Sequence, residues 1–195
     1  MAEPTQPTLV EYLAQVPDFR RREGRRYPLP TLLVMIIMAI LSGQYGYREI
    51  ARFLKANRDE LVAHLGLKRK RMPSHVTIRT VLMKLDFEAL NKAFEHWAQT
   101  HLQVASGDWI SVDAKAIGST VTDYDNAYQD FVSLVSAFAQ EQGTVLAMAR
   151  YHNKDTSEVP LTRTLITAMV EALDLEDVVF TLDALHCKKN NAPDC

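Results

Sequence analysis

The stretch Trp109-Ile110-Ser111-Val112-Asp113-Ala114-Lys115-Ala116 decides how the chain is read. Its β-branched and aromatic residues predict a strand, yet its middle holds a carboxylate. A second apolar stretch, Val178-Val179-Phe180-Thr181-Leu182-Asp183, ends on another aspartate. Between the two, Phe131 to Ala139 and Thr144 to Tyr151 have the same strand-forming composition, and Gln140 to Gly143 reads as the turn joining them. Glu158 to Leu173 carries apolar residues at helical spacing, from Val159 and Leu161 through Leu165, Ile166, Met169, Val170 and Leu173. Pro160 must then sit in the first turn, where its missing N–H costs little. The predicted order is strand, strand, strand, helix, strand.

A carboxylate inside or at the tip of an apolar strand is expensive to bury unless it is paired, hydrogen-bonded or metal-bound. If the first and fourth strands are neighbours, Asp113 and Asp183 both reach one Mg²⁺, a hard cation content with one or two carboxylates plus water and phosphate oxygens. With a second ion the geometry supports in-line attack at phosphorus. The same spacing also suits two strand-end aspartates bonded to loop backbone. Spacing alone leaves both readings open.

Toward the N-terminus the character of the chain changes. From Met1 to Gly107 there are 16 Lys and Arg against 10 Asp and Glu, a net +6, whereas Asp108 to Cys195 has 6 against 14, a net −8. The whole-chain charge of −2 conceals this polarity. A basic half can neutralise phosphates, while an acidic half repels nucleic acid unless its carboxylates hold metal ions. The switch falls in the small-residue stretch Ala105-Ser106-Gly107-Asp108, which places a domain boundary between 107 and 108.

The basic half reads as all helix. Apolar residues recur at helical spacing at Leu9, Tyr12, Leu13 and Val16, then from Leu32 to Leu41, then at Ile50, Phe53, Leu54, Leu61 and Leu65, then at Ile78, Val81, Leu82 and Leu85, then at Leu90, Phe94 and Trp97. Gly43 and Gly46 suit a turn, Gly66 a helix C-cap, and Pro73-Ser74 a break before a capped helix. The apolar run from Leu32 to Leu41 is well short of the roughly 20 residues that span a bilayer, so it predicts a buried helix. Two cysteines, Cys187 and Cys195, make neither a disulfide framework nor a zinc pattern, and with no signal-peptide design the expected location is cytoplasmic and nucleoid-associated. The 47% apolar content excludes collagen-like and disordered classes.

Val112-Asp113-Ala114-Lys115-Ala116 resembles the Val-Asp-Gly-Lys-Ala signature of the H-repeat-associated insertion-sequence family of DDE transposases. Further stretches match that family in order: Leu13 to Asp18 with Arg20, Arg21 and Arg22, Gly24 to Leu29, Tyr47 to Phe53, Pro73 to Arg79, Val135 to Phe138, Lys154, Glu158-Val159-Pro160 and Leu182 to Cys187. The resemblance covers essentially residues 9 to 189. It implies an α+β, two-domain protein: an all-α, DNA-binding, transposase-associated domain (1–107) followed by an incomplete ribonuclease H-like α/β catalytic domain (108–195). It also implies Mg²⁺ or Mn²⁺ held by three acidic residues, with Asp113 first and Asp183 second. The third is a glutamate on a later helix, which has no counterpart here. The ending Lys188-Lys189-Asn190-Asn191 departs from the family, as a frameshift would make it do. The expected function is insertion-sequence transposition by metal-dependent strand cleavage and transfer, truncated before the third carboxylate and inactive alone. The alternative is a non-catalytic DNA-binding remnant or regulator of element ends.

Two basic clusters carry the DNA expectation: Arg20, Arg21, Arg22, Arg25 and Arg26, and then Lys68, Arg69, Lys70 and Arg71. Ser74, Thr77, Arg79 and Thr80 follow in the first turns of a predicted helix, where hydroxyls and the helix dipole engage phosphate. Either cluster alone reads as solvated loop charge. Two clusters beside a metal-type acidic half point to DNA. Expected partners are double-stranded DNA, at element ends and target, and a second copy in a homodimer, with no membrane. His186 and Cys187 read as structural, and Glu158 as a local cap or ion pair or as outer support for the acidic site.

Overall fold

The computed structural model describes residues 7–68, 71–101, 104–122 and 130–186. The chain divides into two compact units, Met1–Trp97 and Ala98–Cys195. The division falls within a helix, ten residues before the small-residue stretch at 107.

The first unit is helical: α1 (Leu9–Leu13), α2 (Leu29–Leu41), α3 (Tyr47–Ala56), α4 (Arg58–His64), α5 (His75–Lys84) and α6 (Phe87–His101), which runs on past the division. Its core is one cluster in which Leu13, Leu32, Met35, Leu54 and Ile78 are fully buried. Arg22–Gly24 forms a single 3₁₀ turn before α2. The run from Ile50 to Leu65 divides at Asn57, whose backbone N–H and Nδ2 both donate to Phe53 O, at 3.0 and 2.9 Å, while its own carbonyl accepts the Leu61 N–H that opens α4. Gly66 closes α4 with φ +59°, a left-handed backbone that costs glycine nothing. The second methionine of α2 departs from a core reading, since Met35 is buried but Met38 is exposed. Among the described residues no helix is long and apolar enough to cross a membrane.

The second unit has β1 (Trp109–Ala116), β2 (Val132–Ala139), β3 (Thr144–His152), α7 (Glu158–Leu173) and β4 (Val179–Thr181). The sheet order is β3-β2-β1-β4, with β1 to β3 antiparallel and β4 parallel to β1. The fold is therefore mixed α and β. Strands of period two place Ile110, Val112, Val135 and Ala137 in one buried layer with Met169 of α7. Pro160 sits in the first turn of α7. The helix ends at Asp174, left-handed at φ 50°, with Leu175 N–H returning to Val170 O at 3.2 Å. The parallel step from β3 through α7 to β4 brings β4 beside β1, which is what positions the acidic residues.

Candidate nucleic-acid interface and acidic pair

In the α/β unit, Trp109, Ile110 and Ser111 pair with Val179, Phe180 and Thr181. Each pair is 70 residues apart in sequence, and Asp113 and Asp183 keep that offset. Asp183 lies two residues beyond the end of β4, where the chain leaves the sheet because Asp183 O accepts the backbone N–H of His186 at 3.0 Å. Thr181 Oγ1 donates to Ser111 Oγ at 2.9 Å, locking β4 to β1 one sheet repeat ahead of the aspartates. Both aspartates are exposed. Val112 is buried on the α7 side, so alternation puts Ser111 and Asp113 on the opposite face.

The turn that carries Asp183 is tied to α7. His186 Nε2 lies 3.1 Å from Glu158 Oε1, with the imidazole largely buried. Glu158 thus pairs with His186, an ion pair whenever the imidazole is protonated. As oxygen donors, Asp113 and Asp183 suit a hard divalent cation that completes its shell with water and phosphate. Among the described residues no group of three or more His, Cys, Asp or Glu is placed to hold a metal.

In the helical unit two hollows share the segment Arg71-Met72-Pro73-Ser74. One, of about 700 Å³, is lined by Arg21, Arg26, Thr77, Thr80 and Lys84. The other, of about 990 Å³, is lined by Arg48, Arg52, Lys55, Arg58 and His75. The first brings Arg21 and Arg26 of one basic cluster to Arg71 of the other beside α5, whose cap is Ser74: its Oγ accepts from Thr77 N–H at 3.3 Å. The second hollow was not foreseen. Its signal was present as Arg48, Arg52 and Lys55 at spacing i, i+4 and i+7, one face of α3. Arg52 lies 3.8 Å from Glu49 and Arg58 2.9 Å from Asp59, exposed pairs of small energetic weight.

Arg20 corrects the expected DNA contacts. It is buried, and Nε and Nη2 donate to the two oxygens of Asp18 at 2.8 Å each while Nη2 also donates to Tyr27 O at 2.9 Å. A guanidinium so engaged is a staple of the 18–27 loop, not a phosphate ligand. The same contact holds the Asp18 carboxyl below its ordinary range, the Arg20 hydrogen bonds being the main cause. Arg25 also turns back on this loop, donating to Arg20 O and Asp18 O, though its side chain remains half exposed. Arg21, Arg22, Arg26, Lys68, Arg71 and Arg79 are exposed, and Arg69, Lys70 and Cys187 lie outside the described residues.

Residues 10–98 match the family model described as DDE_Tnp_1-associated, a span that follows the helical unit. Over 186 residues the chain is 28% identical to "Putative transposase YncI" of Escherichia coli O157:H7, and over 185 residues 25% identical to "H repeat-associated putative transposase YhhI" of Escherichia coli K12. The chain is similar to transposases, among them an H-repeat-associated one. The matches cover 95% and 94% of the chain but 45% and 47% of those two relatives. A second YncI, from strain K12, is 27% identical over 186 residues and is covered over 71% of its length. The likeness to these transposases therefore extends through both units of the chain, including the segments that carry Asp113 and Asp183.

Proposed function

We propose that this chain is the DNA-binding and metal-binding part of a DDE-type transposase, with a ribonuclease H-like second unit. The helical unit holds duplex DNA at its two basic hollows. The α/β unit holds Mg²⁺ or Mn²⁺ with Asp113 and Asp183, and the Glu158–His186 contact steadies the turn that bears Asp183. When bound, such an ion polarises a phosphate oxygen and readies water or a 3′-hydroxyl for attack at phosphorus. The observation that supports the reading is the parallel pairing of β1, which carries Asp113, with β4, which leads into the turn that carries Asp183 two residues on. The absence of a three-residue metal group among the described residues favours a second reading for these residues by themselves: a non-catalytic binder of element ends.

The test is titration of the chain with Mn²⁺ followed by electron paramagnetic resonance, beside duplex binding measured by fluorescence anisotropy. The expected result is Mn²⁺ binding that Asp113→Asn and Asp183→Asn each abolish, with duplex affinity kept. Mn²⁺ binding that neither substitution changes overturns the metal assignment. Nicking of supercoiled plasmid then separates the two readings: Mn²⁺-dependent nicking lost in Asp113→Asn supports the enzyme, and duplex binding without nicking supports the regulator.

A further inference from the structure

Helix α5 has two unlike sides. Ile78 and Val81 are buried in the core, whereas Val76, Arg79, Thr80 and Met83 form a stripe at i, i+3, i+4 and i+7 that is exposed along its whole length. Two of the four are large and apolar, Val76 at 58% exposure and Met83 at 59%. One basic hollow lies at the start of this helix, the other runs along it to Lys84 and shares Val76 and Thr80 with the stripe, and Arg71 and Ser74 line both. With the inward-turned Arg20 left out, one hollow presents four Lys or Arg side chains and the other five, each against one carboxylate, Glu23 and Glu49 respectively.

We propose that α5 is the sequence-reading helix of this protein: it enters the major groove of a DNA duplex and sets Val76, Arg79, Thr80 and Met83 against base edges while the hollows hold flanking phosphates. The inference rests on the DNA-binding reading above and goes beyond it by assigning base readout. The charge decides the occupant. A second copy meeting this face through its own α5 face would bring like-charged hollows together, while a duplex brings phosphates to them. The major groove of B-form DNA admits an α-helix. From Val76 to Met83 the stripe rises about 10 Å, roughly the rise of three base pairs. Its chemistry is mixed in the way base edges are: the Arg79 fork suits guanine O6 and N7, the Thr80 hydroxyl suits a donor or an acceptor, and Val76 and Met83 suit thymine methyls. The narrow major groove of A-form RNA excludes such a helix. The division of labour is therefore bases to the stripe and backbone to Arg48, Arg52, Lys55 and Arg71.

The full chain is incubated with a pool of random-sequence DNA duplexes, bound molecules are sequenced, and affinities for a selected and a scrambled duplex are measured against salt. The expected result is a short selected motif. Arg79→Ala lowers discrimination at one position of it by about tenfold, and Val76→Ser combined with Met83→Ser relaxes others, with scrambled-duplex affinity kept. Arg48→Ala and Arg52→Ala instead weaken all duplexes alike and make the salt slope shallower by about 0.9 for each phosphate that is no longer neutralised. All these side chains are exposed, and circular dichroism checks that each variant is folded. Binding without base preference overturns the α5 assignment alone, as does a motif that the stripe variants leave intact. A dimer that Val76→Ser with Met83→Ser dissociates, with the motif unchanged, shows a self-contact and also overturns it. Failure of the wild-type chain to bind any duplex overturns the DNA-binding reading and this inference with it.

Discussion

Asp18 and Arg20 stand two residues apart, close enough for the carboxylate to accept from the Arg20 backbone N–H as well as from its guanidinium. The pair is partly buried, so removing the anion strands a guanidinium that cannot reach water freely. Asp18→Asn is expected to destabilise the helical unit by about 2 kcal/mol near neutral pH, read as a lower urea midpoint. The pH dependence has a definite sign. Because the folded carboxyl titrates below its unfolded counterpart, its contribution is complete above the ordinary Asp value of about 3.9 and is lost as pH falls through the lower folded value. The gap between wild type and Asp18→Asn should therefore stay constant from pH 7 to 5 and shrink in more acidic solution. A gap that widened on acidification would refute the assignment. Neither this role nor its consequence was legible from Arg20 in sequence, where it stood as one arginine among five; only the fold shows which of them turns inward. The strand that carries Asp113 was legible from its β-branched residues, whereas β4 ends at Thr181 and leaves Asp183 two residues beyond it, short of the strand end that the apolar run suggested.

Elements differ in how plainly the sequence announces them. The span of α7 and the place of Pro160 follow from apolar periodicity and from the missing proline donor, both local properties. The break at Asn57 was obscured, because Leu54 and Leu61 keep helical phase across it while the backbone leaves the helical region at Asn57, φ −97° and ψ 23°. The second basic hollow was harder still: Arg48, Arg52 and Lys55 gain meaning only when α3 meets the segment at Arg71 to Ser74, a juxtaposition set by packing of α3 against α5. The start of α5 permits a test at this scale. Ser74 caps the helix, and Ser74→Ala should cost about 1 kcal/mol while Ser74→Asp, which keeps an acceptor, should cost little. On duplex binding the two substitutions should diverge in another order. Ser74→Asp places a negative charge between the two hollows and should weaken binding more than Ser74→Ala does. Equal affinities of the two variants would remove the start of α5 from the interface.

At the scale of the whole molecule, the helical core around Leu54 and the α/β core around Ile110 share no residue. Their charges are opposite as well, as the proposed division between holding DNA and holding metal requires. Stability should follow the same division. Leu54→Ala and Ile110→Ala each remove a fully buried side chain, a loss of about 2–5 kcal/mol where the surroundings relax only partly. Substitutions at separate sites with no shared partners act independently. Native-state hydrogen exchange followed by mass spectrometry can read each core on its own. Leu54→Ala should raise exchange in α2, α3 and α5 and leave β1 and β2 protected, and Ile110→Ala should do the reverse. Duplex binding should then fall with the first substitution and persist with the second, and Mn²⁺ binding should show the opposite pattern. If either substitution deprotected both cores together, the chain would be one cooperative body, and loss of one activity could no longer be assigned to one unit.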